Sequence, residues 1–192
     1  MRSLEEKALA EYIPVIQPEV VQLLRVLLTA AGAKHLLEIG TAIGYSAIAF
    51  AEILPPDGSV TTIDIKEEML REARENFKKA GFADKITAVC GNALEVLDNM
   101  NGTFDCIFMD GAKGQYNNFL PGCLRLLKPG GLLVSDNVLY RGAVAEEGVI
   151  PRKHRTIIRN LKEFLEDISM RNELETTIIP IGDGVAVSLK KG

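Results

Sequence analysis

Glu38, Gly40 and Gly44 are the residues whose types and spacing ask most clearly for a ligand, within the run His35-Leu-Leu-Glu-Ile-Gly-Thr-Ala-Ile-Gly-Tyr-Ser46. Leu36, Leu37 and Ile39 read as a short buried strand, and the glycines let the chain turn sharply into a helix beginning near Tyr45 and Ser46. Such glycines allow backbone to approach a ligand with no Cβ in the way, and the first N–H groups of the helix offer donors. A pyrophosphate turn needs G-x-G-x-x-G, whereas Gly40 and Gly44 are separated by three residues and preceded by an acid. That acid repels phosphate and suits a cationic, phosphate-free nucleoside. S-adenosylmethionine, with its ammonium and sulfonium, fits the description. The plainer alternative is an ordinary strand-to-helix turn of an α/β domain.

Four acids fall where strands are expected to end: Glu38, Asp64, Asp110 and, just past its strand, Asp136. Carboxylates at strand ends converge on one rim, where an α/β sheet binds its ligand. Asp64 is suited to accept hydrogen bonds from ribose hydroxyls, and equally to cap a helix beginning at Lys66. Asp110 with the pair Asp136-Asn137 offers two carboxylates and an amide oxygen, a donor set for a hard cation such as Mg²⁺ with positions left for water or substrate. Asp110-Gly-Ala-Lys113 adds an amine to the rim. A lysine desolvated beside a cation has its charged form disfavoured and can serve as a base. Taken singly, each of these is as readily a cap or a solvated loop charge.

The elements that must position these groups alternate strictly. Helices are expected over 4–12 and, after Pro14 and Pro18, from Val20 to a C-cap at Gly32. The second is apolar on most of its surface, so it is sandwiched in the core or used in a subunit contact. After the glycine turn follow a helix to Leu54, a turn at Pro55-Pro56-Asp57-Gly58, a β-branched strand over 60–65, a charged helix over 66–80 closed by Gly81, and a strand over 86–90. Then come a short helix over 93–97, strand 104–110, helix 116–127 and strand 131–135. This alternation predicts a parallel sheet of βαβ units. Beyond Gly142 and Gly148, Pro151 opens a helix with an apolar stripe from Ile157 to Ile168. The segment 174–181, the turn Gly182-Asp183-Gly184 and the segment 185–189 read as a hairpin, so the sheet should be mixed, with about seven strands.

A chain of 192 residues is expected to form one domain over 1–192, large enough to bury a core without disulfides. Cys90, Cys106 and Cys123 form no C-x-x-C pair and read as reduced residues of a cytoplasmic protein. No apolar stretch is long enough for a signal peptide or a membrane span. The net charge of -4 argues against global attraction to nucleic acid. One local exception exists: Arg152, Arg155, Arg159 and Lys162 recur at helical spacing, with Arg141, Lys153 and His154 nearby. They are either a phosphate-contacting patch or the solvated face of an amphipathic helix that also carries Glu163 and Glu166.

Glu38-Ile-Gly-Thr-Ala-Ile-Gly-Tyr-Ser46, Asp64, Gly91-Asn92-Ala93, Asp110-Gly-Ala-Lys113, Asp136-Asn137 and the Gly182-Asp183-Gly184 hairpin together resemble the metal-dependent catechol and caffeoyl-CoA type O-methyltransferases, in order and over nearly the whole chain. The resemblance implies a Rossmann-like class I methyltransferase fold with extra N-terminal helices. It implies cofactor contacts from Glu38, Gly40, Thr41, Ser46, Asp64, Asn92, Ala93 and Asp110, with Ile16 at a lid position. It also implies Mg²⁺ or another divalent cation on Asp110, Asp136 and Asn137, Lys113 as the catalytic lysine, and a homodimer. Residues 136–147 followed by 151–155 look most like the bacterial branch that methylates 5-hydroxyuridine at the tRNA wobble position, so the tRNA anticodon region is the expected partner. Catechol and 5-hydroxyuridine both present two vicinal oxygens for chelation, so the core motifs do not choose between tRNA and a small catechol or hydroxycinnamoyl-CoA. A cofactor-binding regulator without catalysis is disfavoured by the lysine and the metal set. A nicotinamide oxidoreductase is disfavoured by the missing third glycine.

Overall fold

The computed structural model describes residues 2–10, 13–145 and 152–192. Two N-terminal helices, α1 (Arg2–Ala10) and α2 (Pro18–Ala30), precede the alternating units. These are β1 (His35–Ile39), α3 (Tyr45–Ile53), β2 (Ser59–Asp64), α4 (Glu67–Ala80), β3 (Ile86–Cys90), α5 (Ala93–Asn99), β4 (Phe104–Met109), α6 (Tyr116–Leu126) and β5 (Leu127–Ser135). α7 (Arg155–Met170) and the hairpin β6 (Leu174–Ile179) and β7 (Val185–Lys190) complete the chain.

The strands form one sheet in the order β3-β2-β1-β4-β5-β7-β6. β1 to β5 are parallel, and the order reverses between β1 and β4, the place in such a sheet where ligands are generally bound. β7 runs antiparallel between β5 and β6. The expected antiparallel strand is therefore present, but it lies inside the sheet and β6 forms the edge. Alternate residues along each strand feed opposite layers: Leu37, Ile107 and Leu133 pack under α5, α6 and α7, while Leu36, Cys106 and Val134 pack under α2, α3 and α4.

The helix ends that face away from the rim are held by cations. Lys85 donates to the carbonyls of Ala51 and Leu54, Arg125 to those of Leu97 and Met100, and Lys190 to those of Leu124 and Leu127. Each satisfies carbonyls left over at a helix C-terminus and meets the negative end of its dipole.

Most expected boundaries hold within a residue or two, and the differences have local causes. β5 starts at Leu127 instead of Gly131, because Pro129 and Gly130 are absorbed as an irregularity: β4 advances two residues from Phe104 to Cys106 while β5 advances five from Leu127 to Leu132. Lys66 is the N-cap of α4, not its first residue. The expected end of the first helix at Tyr12, the glycine at Gly148 and the helix start at Pro151 lie outside the described residues.

Candidate functional site

At the rim, the missing side chain of Gly40 makes room for another piece of backbone. With φ at 110°, a Cβ on Gly40 would stand 3.0 Å from the carbonyl carbon and oxygen of Asp110 and from the amide of Gly111. Gly44, also at positive φ, would drive a Cβ to 2.3 Å from the ring of Phe77 on α4. These glycines therefore have a packing reason beside the expected one of unobstructed ligand approach: the turn must lie flat between the β4 loop and α4.

Beneath this turn Glu38, Thr41 and Ser46 are buried together. Thr62 donates its hydroxyl to Glu38 Oε2 at 2.5 Å and lies 2.6 Å from the hydroxyl of Thr41. Glu38 Oε1 has no hydrogen-bond partner in the protein. Burial pushes the Glu38 carboxyl up to about 8, with Asp110 and Asp64 adding to the rise and the hydroxyls of Ser46 and Thr62 opposing it. An orphaned buried oxygen of this kind is matched by a donor from a bound ligand, and a cationic nucleoside supplies one.

Asp64 ends β2 and accepts the N–H of Ala42 at 3.0 Å and of Lys66 at 2.9 Å. The first bond ties it to the glycine turn and stabilises Ala42 at φ 45°; the second forms a local turn just before α4, whose N-cap residue Lys66 makes no side-chain capping bond of its own. A cavity of about 410 Å³ opens beside it, lined by Gly40, Asp64, Asn92, Ala93 and Gly111. Of these, Asn92 also spends its side-chain oxygen on capping α5 through the Leu94 N–H. The same cavity is lined by Ile65, Gln115 and Phe119, which the sequence reading missed. Ile65 carried a signal, as an apolar residue directly after a strand-end acid; it is 66% exposed, ready to cover a planar ligand. Ile16, expected at a lid, is buried in the core layer that holds Val20 and Tyr45.

Asp110 and Asp136 leave β4 and β5 at neighbouring positions, directly after the paired residues Met109 and Ser135. Asp136 is 2% exposed. Its carboxyl is raised to about 7, first by burial and then by Asp110, against the N–H of Asn137, which donates to Oδ1 at 2.7 Å. Burial likewise raises Asp110, opposed by Lys113, whose Nζ stands 3.4 Å from Oδ1. Ala112 and Asn137 both adopt positive φ, 47° and 54°, so the loops carrying Lys113 and the second carboxylate hold strained backbone at the site. Among the described residues no three His, Cys, Asp or Glu side chains gather; the candidate set is two carboxylates and the Asn137 amide. A buried acid raised by a half-buried neighbouring acid, with oxygen donors only, fits a hard divalent cation.

The terminal hairpin turn is fastened to this loop. Val138 donates to the carbonyl of Gly184, Leu139 to that of Asp183, and Arg141 N–H to the Asp183 carboxylate. α7 is docked on the lysine turn through Asn160, which donates to the Gly114 carbonyl at 2.8 Å and accepts from Asn117 at 2.9 Å. Arg152 and Lys153 lie on a short 3-10 turn before α7, so the basic residues do not share one continuous helical face as their spacing predicts. Arg141, Arg152, Arg155, Arg159 and Lys162 are exposed, with Arg159 paired to Glu163 at 3.7 Å. His154 sits 2.9 Å from the Tyr140 hydroxyl.

Residues 1–191 match the family described as O-methyltransferase. Tricin synthase 2 of Oryza sativa subsp. japonica is 35% identical over 178 residues, 88% of this chain; the chain spans only 61% of that relative's length. A Staphylococcus aureus structure presented as a caffeoyl-CoA O-methyltransferase superposes with a TM-score of 0.92 at 36% identity, covering 98% of this chain and 91% of that one. An O-methyltransferase from Bacillus cereus, solved with S-adenosylhomocysteine, gives 0.88 at 26% identity, covering 99% and 90%. With this site at the carboxyl edge of this sheet, the chain belongs to the family of S-adenosylmethionine-dependent O-methyltransferases.

Proposed function

We propose that this protein methylates a hydroxyl flanked by a second oxygen, using S-adenosylmethionine and a divalent cation. The observation that carries this reading is the pair of carboxylates at adjacent strand ends, half-buried Asp110 and buried Asp136, with the Lys113 amine 3.4 Å from the first. When bound, the cofactor supplies an electrophilic methyl group and the cation lowers the pKa of the substrate hydroxyl. The chain's own residues do the rest. Glu38 and Asp64 hold the cofactor's polar groups, and Ile65 and Phe119 cover its base. Asp110, Asp136 and Asn137 would hold the cation, which would supply a chelating centre for the two substrate oxygens. Lys113 stands where the hydroxyl ionises, to stabilise the anion or accept its proton.

The substrate we favour is 5-hydroxyuridine at the tRNA wobble position, because Arg141 after β5, Arg152 in the turn before α7 and Arg155 at its start are exposed charges suited to phosphates. The small-substrate reading, a catechol or hydroxycinnamoyl-CoA, is favoured by the relatives' names. We also propose a homodimer through the outer face of α2, where Val26 is 58% exposed; a solution mass of one chain would reject it. No described helix is long and apolar enough to cross a membrane. The deciding experiment is methyl transfer from labelled S-adenosylmethionine, with and without Mg²⁺, to tRNA carrying 5-hydroxyuridine and in parallel to a catechol. Metal-dependent labelling of tRNA supports the first substrate, labelling of the catechol alone the second, and labelling of neither refutes both.

A further inference from the structure

Tyr116 opens α6 and is fully buried, yet it is not part of the proposed donor set or of the cavity. Its hydroxyl lies 2.9 Å from the carbonyl oxygen of Met109 and 3.0 Å from that of Asp136. Both oxygens can only accept, so the phenol is the donor and its single proton is shared between them.

These two carbonyls belong to particular peptides. The first leads from Met109 into Asp110, and the second joins Asp136 to Asn137. β4 and β5 pair as far as Met109 and Ser135, so the phenol closes the ladder where both chains leave it. The 136–137 peptide is thereby gripped from both sides, its C=O by Tyr116 and its N–H by the Asp136 carboxylate at 2.7 Å. That grip matters because Asn137 sits at φ 54°, in the left-handed region that asparagine tolerates better than most residues but does not prefer, so the two bonds help hold it there. The ring is seated edge-on against Phe164 of α7, centroids 5.3 Å apart at 67°. The ring's packing and the hydroxyl's bonds are therefore separate contributions.

We propose that Tyr116 is a positioning residue: through the two peptides it fixes the placement of Asp110, Asp136 and Asn137 relative to one another, and so sets the affinity for a divalent cation. This rests on the metal-dependent reading above. Partners lying just outside a metal's own ligands typically change its affinity by roughly 10- to 100-fold when removed. Tyr116→Phe keeps the ring against Phe164 and deletes only the shared donor.

The test is Mn²⁺ binding, followed by electron paramagnetic resonance in the presence of S-adenosylhomocysteine, for the wild type, Tyr116→Phe and Leu120→Val. The last loosens the same core layer without touching either carbonyl. Tyr116→Phe should bind Mn²⁺ about tenfold more weakly, with S-adenosylhomocysteine affinity measured without metal unchanged. Leu120→Val should lower the melting temperature and keep the wild-type Mn²⁺ affinity. Wild-type Mn²⁺ affinity in Tyr116→Phe overturns this inference alone, and so does an equal loss in Leu120→Val. A wild type that binds no Mn²⁺ overturns the metal-dependent reading and this inference with it. Should Tyr116→Phe not fold, Phe164→Leu, which lets the ring tilt but keeps the hydroxyl, carries the test. Because the hydroxyl stays, Phe164→Leu should keep the wild-type Mn²⁺ affinity at a lowered melting temperature, and a loss of about tenfold there would assign the effect to ring packing and overturn the inference.

Discussion

The backbones of Gly40 and Gly111 cross in contact at the ends of β1 and β4: a Cβ on Gly111 would lie 3.2 Å from the Gly40 Cα, and one on Gly40 3.0 Å from the Asp110 carbonyl. The cofactor turn and the loop that starts the proposed metal site therefore share one seam. Gly40→Ala adds a methyl group to that seam and forces alanine to φ 110°. Strain at such a φ and overpacking each cost about 1–3 kcal/mol. The variant should lose about 2–6 kcal/mol in urea unfolding by the same two terms, and bind both S-adenosylhomocysteine and Mn²⁺ more weakly. A variant with wild-type stability would mean the two loops are not packed against each other.

Glu38 makes stability depend on pH in the direction opposite to most carboxylates. Its folded value of about 8 stands above the ordinary 4.5. Between those values the folded chain keeps a proton that the unfolded chain has released, so stability is greatest below about pH 4.5 and is lost as pH rises toward 8. The slope is up to about 1.4 kcal/mol per pH unit. Glu38→Gln is neutral throughout and removes this contribution. Without cofactor, the urea midpoint of the wild type should fall relative to the variant's between pH 5 and 8; parallel profiles would show that Glu38 is ionised in the folded protein.

The sheet, its alternation and the positions of Glu38, Asp64, Asp110, Lys113, Asp136 and Asn137 on one rim were legible in the sequence because each rests on local signals: apolar runs, glycine turns and acids at strand ends. What was not legible depends on contacts between distant segments. Gly40 reads as a ligand-facing glycine, and only the fold shows that it must also be bare for Asp110, seventy residues later, to lie against it. Tyr116 reads as a core aromatic until its hydroxyl is found between Met109 and Asp136. Pro129 and Gly130 fall between the expected helix and strand, yet β5 already begins at Leu127, paired with Phe104, so they lie inside it as an irregularity. The role of the hairpin turn, gripping 138–141 through Asp183 and Gly184, likewise needs the tertiary fold.

Asp136→Ala separates cofactor binding from metal binding. Asp136 is buried beside the other proposed ligands, while Glu38, Asp64 and the cavity-lining residues lie toward β1 and β2. The variant should retain S-adenosylhomocysteine affinity within about threefold, lose Mn²⁺ binding by at least about tenfold, and lose methyl transfer. Removing one of two mutually repelling buried acids also relieves their repulsion, so its melting temperature without metal should not fall sharply. Wild-type turnover by this variant, or by the wild type in excess chelator, would refute a metal-assisted mechanism.

Arg152 and Arg155 decide between the two substrate readings. Both are exposed where α7 begins, and the Asn160 bond to Gly114 ties that helix to the turn carrying Lys113. If their charges contact tRNA phosphates, each contributes about one unit to the slope of log affinity against log salt. Changing both to alanine should then weaken tRNA binding by roughly tenfold or more at low salt and flatten its salt dependence by about two units. Methylation of a free catechol should keep its rate, because neither arginine belongs to the proposed cofactor or cation sites. An equal loss on both substrates would point instead to a disturbed Lys113 turn, and an unchanged salt slope would remove α7 from the substrate interface.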